Sequence, residues 1–209
     1  MDGLLALMIG IGLSAACGFR VFVPLFALSL AAQTGHIELA ESFRWVATPM
    51  ATMALGVATF FEIGGYYIPW VDNMLDAVAT PAAVVAGTFI TASVLPEMTP
   101  FLKWSIATIA GGGTAGIIQS VSVITRAASA VTTGGLGNPA VSTVETGGSI
   151  LLSVLAVLLP LITLGLVAFL LVWAGKKIYR RFRKPKGPAA TPNPGAFSET
   201  VQHGGKDRE

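Results

Sequence analysis

Five apolar stretches, at approximately residues 4 to 32, 47 to 68, 75 to 95, 102 to 126 and 149 to 174, constrain this chain more than anything else in it. Each is long enough to cross a hydrocarbon core, which takes ~20 helical residues. In lipid every backbone N–H and C=O must be satisfied within its own segment. The expected fold is therefore all-α, a polytopic transmembrane bundle of about five helices. Composition agrees, because 53% of the 209 residues are hydrophobic and 11% are charged, too few charges to cover a soluble domain. The first stretch is longer than one crossing needs and contains Gly18 and Pro24, so its helix is expected to be kinked or broken, with a pair of half-helices as the alternative.

Seven of the thirteen Lys and Arg residues fall in one run, Lys176, Lys177, Arg180, Arg181, Arg183, Lys184 and Lys186. Beside a spanning helix such a run is kept on the cytoplasmic face and contacts anionic lipid head groups. That position makes membrane lipid, not nucleic acid, its expected partner. Residues 1–175 read as the transmembrane domain, 176–186 as a basic juxtamembrane segment and 187–209, rich in Pro and Gly, as a disordered cytoplasmic tail. Five crossings with the C-terminus inside put the N-terminus outside and the loops bearing Arg44 and Lys103 inside. Tyr66, Tyr67 and Trp70 then belong to an aromatic belt at the outer edge, and Trp173 and Tyr179 to one at the inner edge.

Cys17 is the one cysteine, so no intrachain disulfide can form. The segment Leu13-Ser14-Ala15-Ala16-Cys17 loosely resembles a lipoprotein cleavage site. Asp2 with no early Lys or Arg, and apolar character that continues past Cys17, argue against one. An offset of 100 residues matches Gly12 with Gly112, Gly35 with Gly135, Leu55 with Leu155 and Gly65 with Gly165, and it lays stretches one and two on four and five. A single crossing between two copies inverts the second, as in the inverted-topology repeats of transporters; chance identity in so apolar a chain is the alternative.

Arg20 stands in the middle of the first stretch, where an arginine costs ~2.5–3.5 kcal/mol unless it finds a carboxylate, carbonyl or anion. The second reading is that the stretch is two short pieces and Arg20 snorkels to an interface. Glu62, late in the second stretch, is its most economical partner, either as a structural ion pair or as a coupling group. Asp72 and Asp76, spaced i, i+4, project from one face at the start of the third helix. Together with Asn73 they offer oxygen ligands to a cation, although helix capping and the dipole explain them more simply.

Gly111-Gly112-Gly113 and Gly116, followed by Gln119 and Arg126, read as a close helix-packing surface, with an unwound substrate-binding stretch as the alternative. Gly134-Gly135-Leu136-Gly137-Asn138-Pro139, with Ser142, Thr143, Glu145 and Thr146, is either a re-entrant loop lining a polar cavity or a surface turn. His36 and His203 lack metal-ligand spacing. No Walker, dinucleotide, HExxH or nucleophile-elbow pattern occurs, so neither cofactor, metal site nor enzymatic activity is expected.

Gly18-Phe19-Arg20 with Phe22 and Pro24, Glu62 followed by Pro69, Asp72 and Asp76, and Arg126 followed by Gly-Leu-Gly-Asn-Pro at 135–139, Ser142 and Glu145 resemble a family of small bacterial membrane proteins catalogued as a domain of unknown function. The resemblance covers roughly residues 5 to 175. Gly64-Gly65-Tyr66-Tyr67 departs from it, since such proteins commonly carry an Ala-Asp-Lys type sequence there; any ion pair built on that Asp or Lys is absent here. The leading functional reading is a small inner-membrane transporter or channel, its expected partners being lipid, a small molecule or ion, and further copies of the chain. Its pathway residues would be Arg20, Glu62, Asp72, Asp76, Gln119, Arg126, Asn138 and Glu145. A translocase of a lipid-linked phosphate is a variant, with Arg20 on the phosphate. A non-transporting scaffold whose basic tail recruits a protein or anionic lipid is the competing class.

Overall fold

The computed structural model describes residues 2–182, and every element among them is helical. In chain order these are α1 (Gly3–Cys17), α2 (Phe22–Gln33), α3 (Pro49–Gly65), α4 (Pro69–Val94), α5 (Pro100–Ile106), α6 (Gly113–Thr133), α7 (Asn138–Leu158) and α8 (Pro160–Phe182). A 3-10 helix covers Glu41–Ala47, and a π-helical segment, Ala107–Gly112, joins α5 to α6 without a break. Residues Met1–Ile178 form one compact unit and Tyr179–Glu209 a second. The end of α8 carries Lys176, Lys177, Arg180 and Arg181. Arg183, Lys184, Lys186, His203 and the tail at 187–209 lie outside the described residues, as do the side chains of Trp70, Asn73, Lys177, Arg180 and Arg181.

By length and apolar composition three helices can cross a membrane, Met74–Val94, Pro100–Thr133 and Asn138–Leu158. The 3-10 helix and α3, bent by 65° at Thr48, make a fourth span if counted together. Helix α4 packs against both α1 and the α5–α6 helix, which also touch each other. The glycines of the fourth stretch are a packing surface: a Cβ on Gly87 of α4 would stand 2.9 Å from the Gly111 carbonyl oxygen, so the two backbones touch directly.

The first stretch is broken, and the break turns the chain round. Helix α1 runs antiparallel to α4, since Gly3 lies by Pro96 and Gly10 by Thr91 and Val94, while Ser14 Oγ donates to the Gly87 carbonyl at 2.8 Å. Helix α2 then returns to the starting end, where Ile37 packs with Ile9 and Val94 and the Ala40 N–H donates to the Ser93 carbonyl at 2.8 Å. With 15 and 12 residues, the two arms are ~22 and ~18 Å long, short of a ~30 Å core. They form a helical hairpin whose tip, residues 18–21, stops inside the bundle.

The fifth stretch is corrected. It is not one helix, because Leu159 (φ −137°, ψ 62°) and Pro160 divide it, and α7 begins eleven residues earlier than expected, at Asn138. Of the two readings of the Gly-Asn-Pro segment the surface turn holds for residues 134–137, which lead straight into α7 at Asn138. Leu152 of α7 and Val167 of α8 share one core cluster with Ala15, Ala16 and Ile118, so α8 doubles back along α7. The bundle therefore contains two helical hairpins that enter from opposite ends. The 100-residue offset matches Gly35 with Gly135, both at positive φ (76° and 90°), but it lays the broken tip at 18–21 on unbroken α6.

Sidedness follows from the hairpins. Asp2, residues 34–48 and the turn at 95–99 share the N-terminal end; the turns at 66–68 and 134–137 share the other. Arg44 and Lys103 are at the N-terminal end, whereas Trp173 lies by Val141 and Val144 at the opposite end, near Tyr67, whose hydroxyl bonds Thr143 Oγ1 at 2.9 Å. Tyr67 and Trp173, expected on different edges, therefore lie at one end, because α1 and α2 do not amount to a crossing. Tyr66 is no belt residue either, being 6% exposed.

Candidate site: a buried charge cluster at the hairpin tip

The tip needs Gly18, because a Cβ there would fall 2.5 Å from Ile118 Cβ and 2.8 Å from the Ala115 carbonyl oxygen of α6. Beyond the tip, α2 starts in the bundle interior with orphan N–H groups, a cost that lipid cannot relieve. Glu62, at the end of α3, takes them. The Val21 N–H donates to Oε1 at 2.7 Å and the Phe22 N–H to Oε2 at 3.0 Å. The carboxylate thus caps a helix on another segment and lies at the positive end of its dipole. The expected Arg20–Glu62 pair does not form; both Glu62 oxygens are directed at backbone donors.

Arg20, 1% exposed, reaches to α7 instead. Its Nε donates to Thr146 Oγ1 at 3.0 Å, and Nη2 donates to the Ser142 carbonyl at 3.0 Å and to Ser142 Oγ. The nearest carboxylate is Glu145, 3.9 Å away. Arg126, about two helical turns in from the end of α6, is far more tightly held. Its Nε and Nη2 both donate to Glu145, and Nη1 donates to Asp72 Oδ1 at 2.5 Å, with Asp76 at 3.8 Å. Asn138 Nδ2 completes Asp72 by donating to Oδ2 at 3.1 Å. Both guanidiniums lie against the ring of Tyr66, their Cζ atoms 3.7 and 4.3 Å from its centroid.

Two guanidiniums thus face three carboxylates, Asp72, Asp76 and Glu145, in a region from which bulk water is largely excluded. Among the described residues Arg20 Nη1, Asp76 Oδ1 and Asn138 Oδ1 are buried without a hydrogen-bond partner. The cluster is charged beyond what its own ion pairs neutralise and retains free donor and acceptor capacity. A cavity of about 460 Å³, lined by Tyr66, Tyr67, Asp72, Asn138 and the turn at 134–136, leads to it from the end opposite the N-terminus. At the N-terminal end Phe43, Trp45, Phe89 and Trp104 pack ring to ring at 5.1 to 6.4 Å, and Lys103 lies 3.7 Å from Glu97.

Of the residues expected to line a pathway, Arg20, Asp72, Asp76, Arg126, Asn138 and Glu145 come together here. Glu62 caps the tip, and Gln119 is buried on α6 outside the ion-pair network. Asp72 and Asp76 are ion-pair partners of Arg126 rather than capping residues, since their helix face turns inward. Tyr66, the shared ring, was missed as an interfacial aromatic. A usable signal lay in Asn138, Ser142, Glu145, Ser149 and Ser153, which recur every three or four residues and mark one polar helical face. Ser149 Oγ donates to the Ala16 carbonyl at 3.0 Å, which binds that face to the hairpin.

Long apolar helices define an integral membrane protein, and the ion-pair cluster is buried inside its bundle. Residues 7–180 match the family described as "Domain of unknown function (DUF4126)", and the chain belongs to that family. No curated protein and no solved structure matches it.

Proposed function

We propose that this protein is a small inner-membrane transporter whose substrate site is the cluster of Arg20, Arg126, Asp72, Asp76 and Glu145. The observation that carries this reading is an unbalanced, incompletely bonded set of four buried ionisable side chains and the half-buried Asp76 at the tip of an intramembrane hairpin. A purely structural ion pair is most stable when every donor and acceptor is matched. Intramembrane charges left with spare capacity suit ion or substrate pathways, and half-helices meeting near the midplane suit alternating access. The cavity at the end opposite the N-terminus fits a state open to one side.

Charge supports an orientation. Of the Lys and Arg residues the N-terminal end carries Arg44 and Lys103 only, while the run of seven Lys and Arg begins at Lys176, three residues after Trp173 at the cavity end, so that end is assigned to the cytoplasm. The test is a Thr146→Cys variant in a Cys17→Ala background, probed with an impermeant maleimide in right-side-out and inverted vesicles. A transporter exposes position 146 in both preparations. Protection in both, in a folded protein, would leave a dry structural core and end the transport reading.

A further inference from the structure

Helices α3 and α4 diverge from the turn at 66–68, leaving between them a second pocket of about 670 Å³ with almost wholly apolar walls. Its rim is exposed, at Phe61 and Val78, on helix faces that are apolar and therefore lipid-facing. Its floor is different. Glu62 and Tyr66, each 6% exposed, close it on the inside, and Tyr66 is the ring on which both guanidiniums rest. The same tyrosine lines the polar cavity that holds Asp72 and Asn138. One side chain thus separates a bilayer-facing pocket, the charge cluster and the polar cavity.

The chemistry of the occupant follows from what lines this route. Phe22, Phe60, Phe61 and Tyr66 offer aromatic faces, which attract cations as well as apolar bodies. Counting Glu62, four carboxylates stand against two guanidiniums, so a cation brings the region toward neutrality and an anion takes it further away. We infer that the pocket between α3 and α4 takes up a lipophilic organic cation from the bilayer and holds its charge against Glu62 and Tyr66. The inference rests on the transport reading for the ligand's onward passage alone; binding can be measured without transport.

The full chain, purified into phosphatidylcholine nanodiscs, is titrated into ethidium and followed by fluorescence anisotropy. Saturable binding above empty discs is expected, displaced by tetraphenylphosphonium and not by dodecyl phosphate. Val78→Trp blocks the pocket from its exposed rim without entering the core, and Glu62→Gln removes the floor charge; each should weaken binding about tenfold, a change of ~1.4 kcal/mol. Should Glu62→Gln fail to fold, Val78→Trp carries the test. No saturable binding, unchanged affinity in either folded variant, or displacement by dodecyl phosphate as good as that by tetraphenylphosphonium would overturn the assignment, the last in favour of a lipid phosphate. Ethidium binding with position 146 protected on both faces would instead leave a binding site without transport.

Discussion

Replacing Arg126 by leucine is the sharpest test of the cluster, because its cost can be worked out from the partners left behind. The guanidinium supplies two donors to Glu145 and one to Asp72, whose side chains are 6% and 4% exposed. Stripping one partner from a buried ion pair costs about 3–5 kcal/mol, chiefly through the charge left uncompensated. Asp72 would keep the Asn138 amide and Glu145 would keep Arg20 at 3.9 Å, which sets the expected loss near the lower limit, about 3 kcal/mol. The triple variant Arg126→Leu, Asp72→Asn, Glu145→Gln removes the stranded charges along with their partner. It should recover to within about 1 kcal/mol of the parent. Unfolding in detergent micelles titrated with sodium dodecyl sulfate, followed by far-ultraviolet circular dichroism, reads both. A single variant costing less than about 1 kcal/mol, or a triple variant no more stable than the single, would refute the view that these are strongly coupled buried charges.

The hairpin fold requires cysteines placed at Asp2, Glu41 and Glu97 to label from one membrane face and a cysteine at Leu136 from the other; labelling of Asp2 and Glu41 from opposite faces would restore a full crossing by the first stretch. Gly18→Ala should destabilise by about 1–3 kcal/mol through overpacking against Ile118, with partial rescue by Ile118→Ala. Gly147→Ala, where a Cβ meets nothing within 4 Å, serves as the near-neutral control, and equal effects at the two sites would contradict the packed tip. Glu62→Gln weakens the cap on α2 and should cost about 1 kcal/mol, visible as faster amide hydrogen exchange confined to Val21 and Phe22. Unchanged exchange there would mean that the cap does not hold the tip.

The sequence by itself determined that this is an all-helical membrane protein, that its first apolar stretch is broken, and that Arg20 and Glu62 lie within apolar stretches. Each rests on a local property: the length of an apolar run, Gly18 within it, or an ionisable group that lipid cannot solvate. Six of the eight chosen polar residues accordingly meet in one cluster. Direction and pairing were another matter. An apolar run long enough for one crossing or for two half-lengths satisfies lipid equally well, so only contacts such as Gly3 with Pro96 and Ala40 with Ser93 show that α1 and α2 form a hairpin. Pairing is likewise non-local. Arg20 finds Ser142 and Thr146, more than a hundred residues away, because the N–H groups at the start of α2 claim Glu62 first. Tertiary structure alone decided which way the chain turned and which charges met, since both depend on backbone groups that had to be satisfied inside the bundle and on which helices stood beside them.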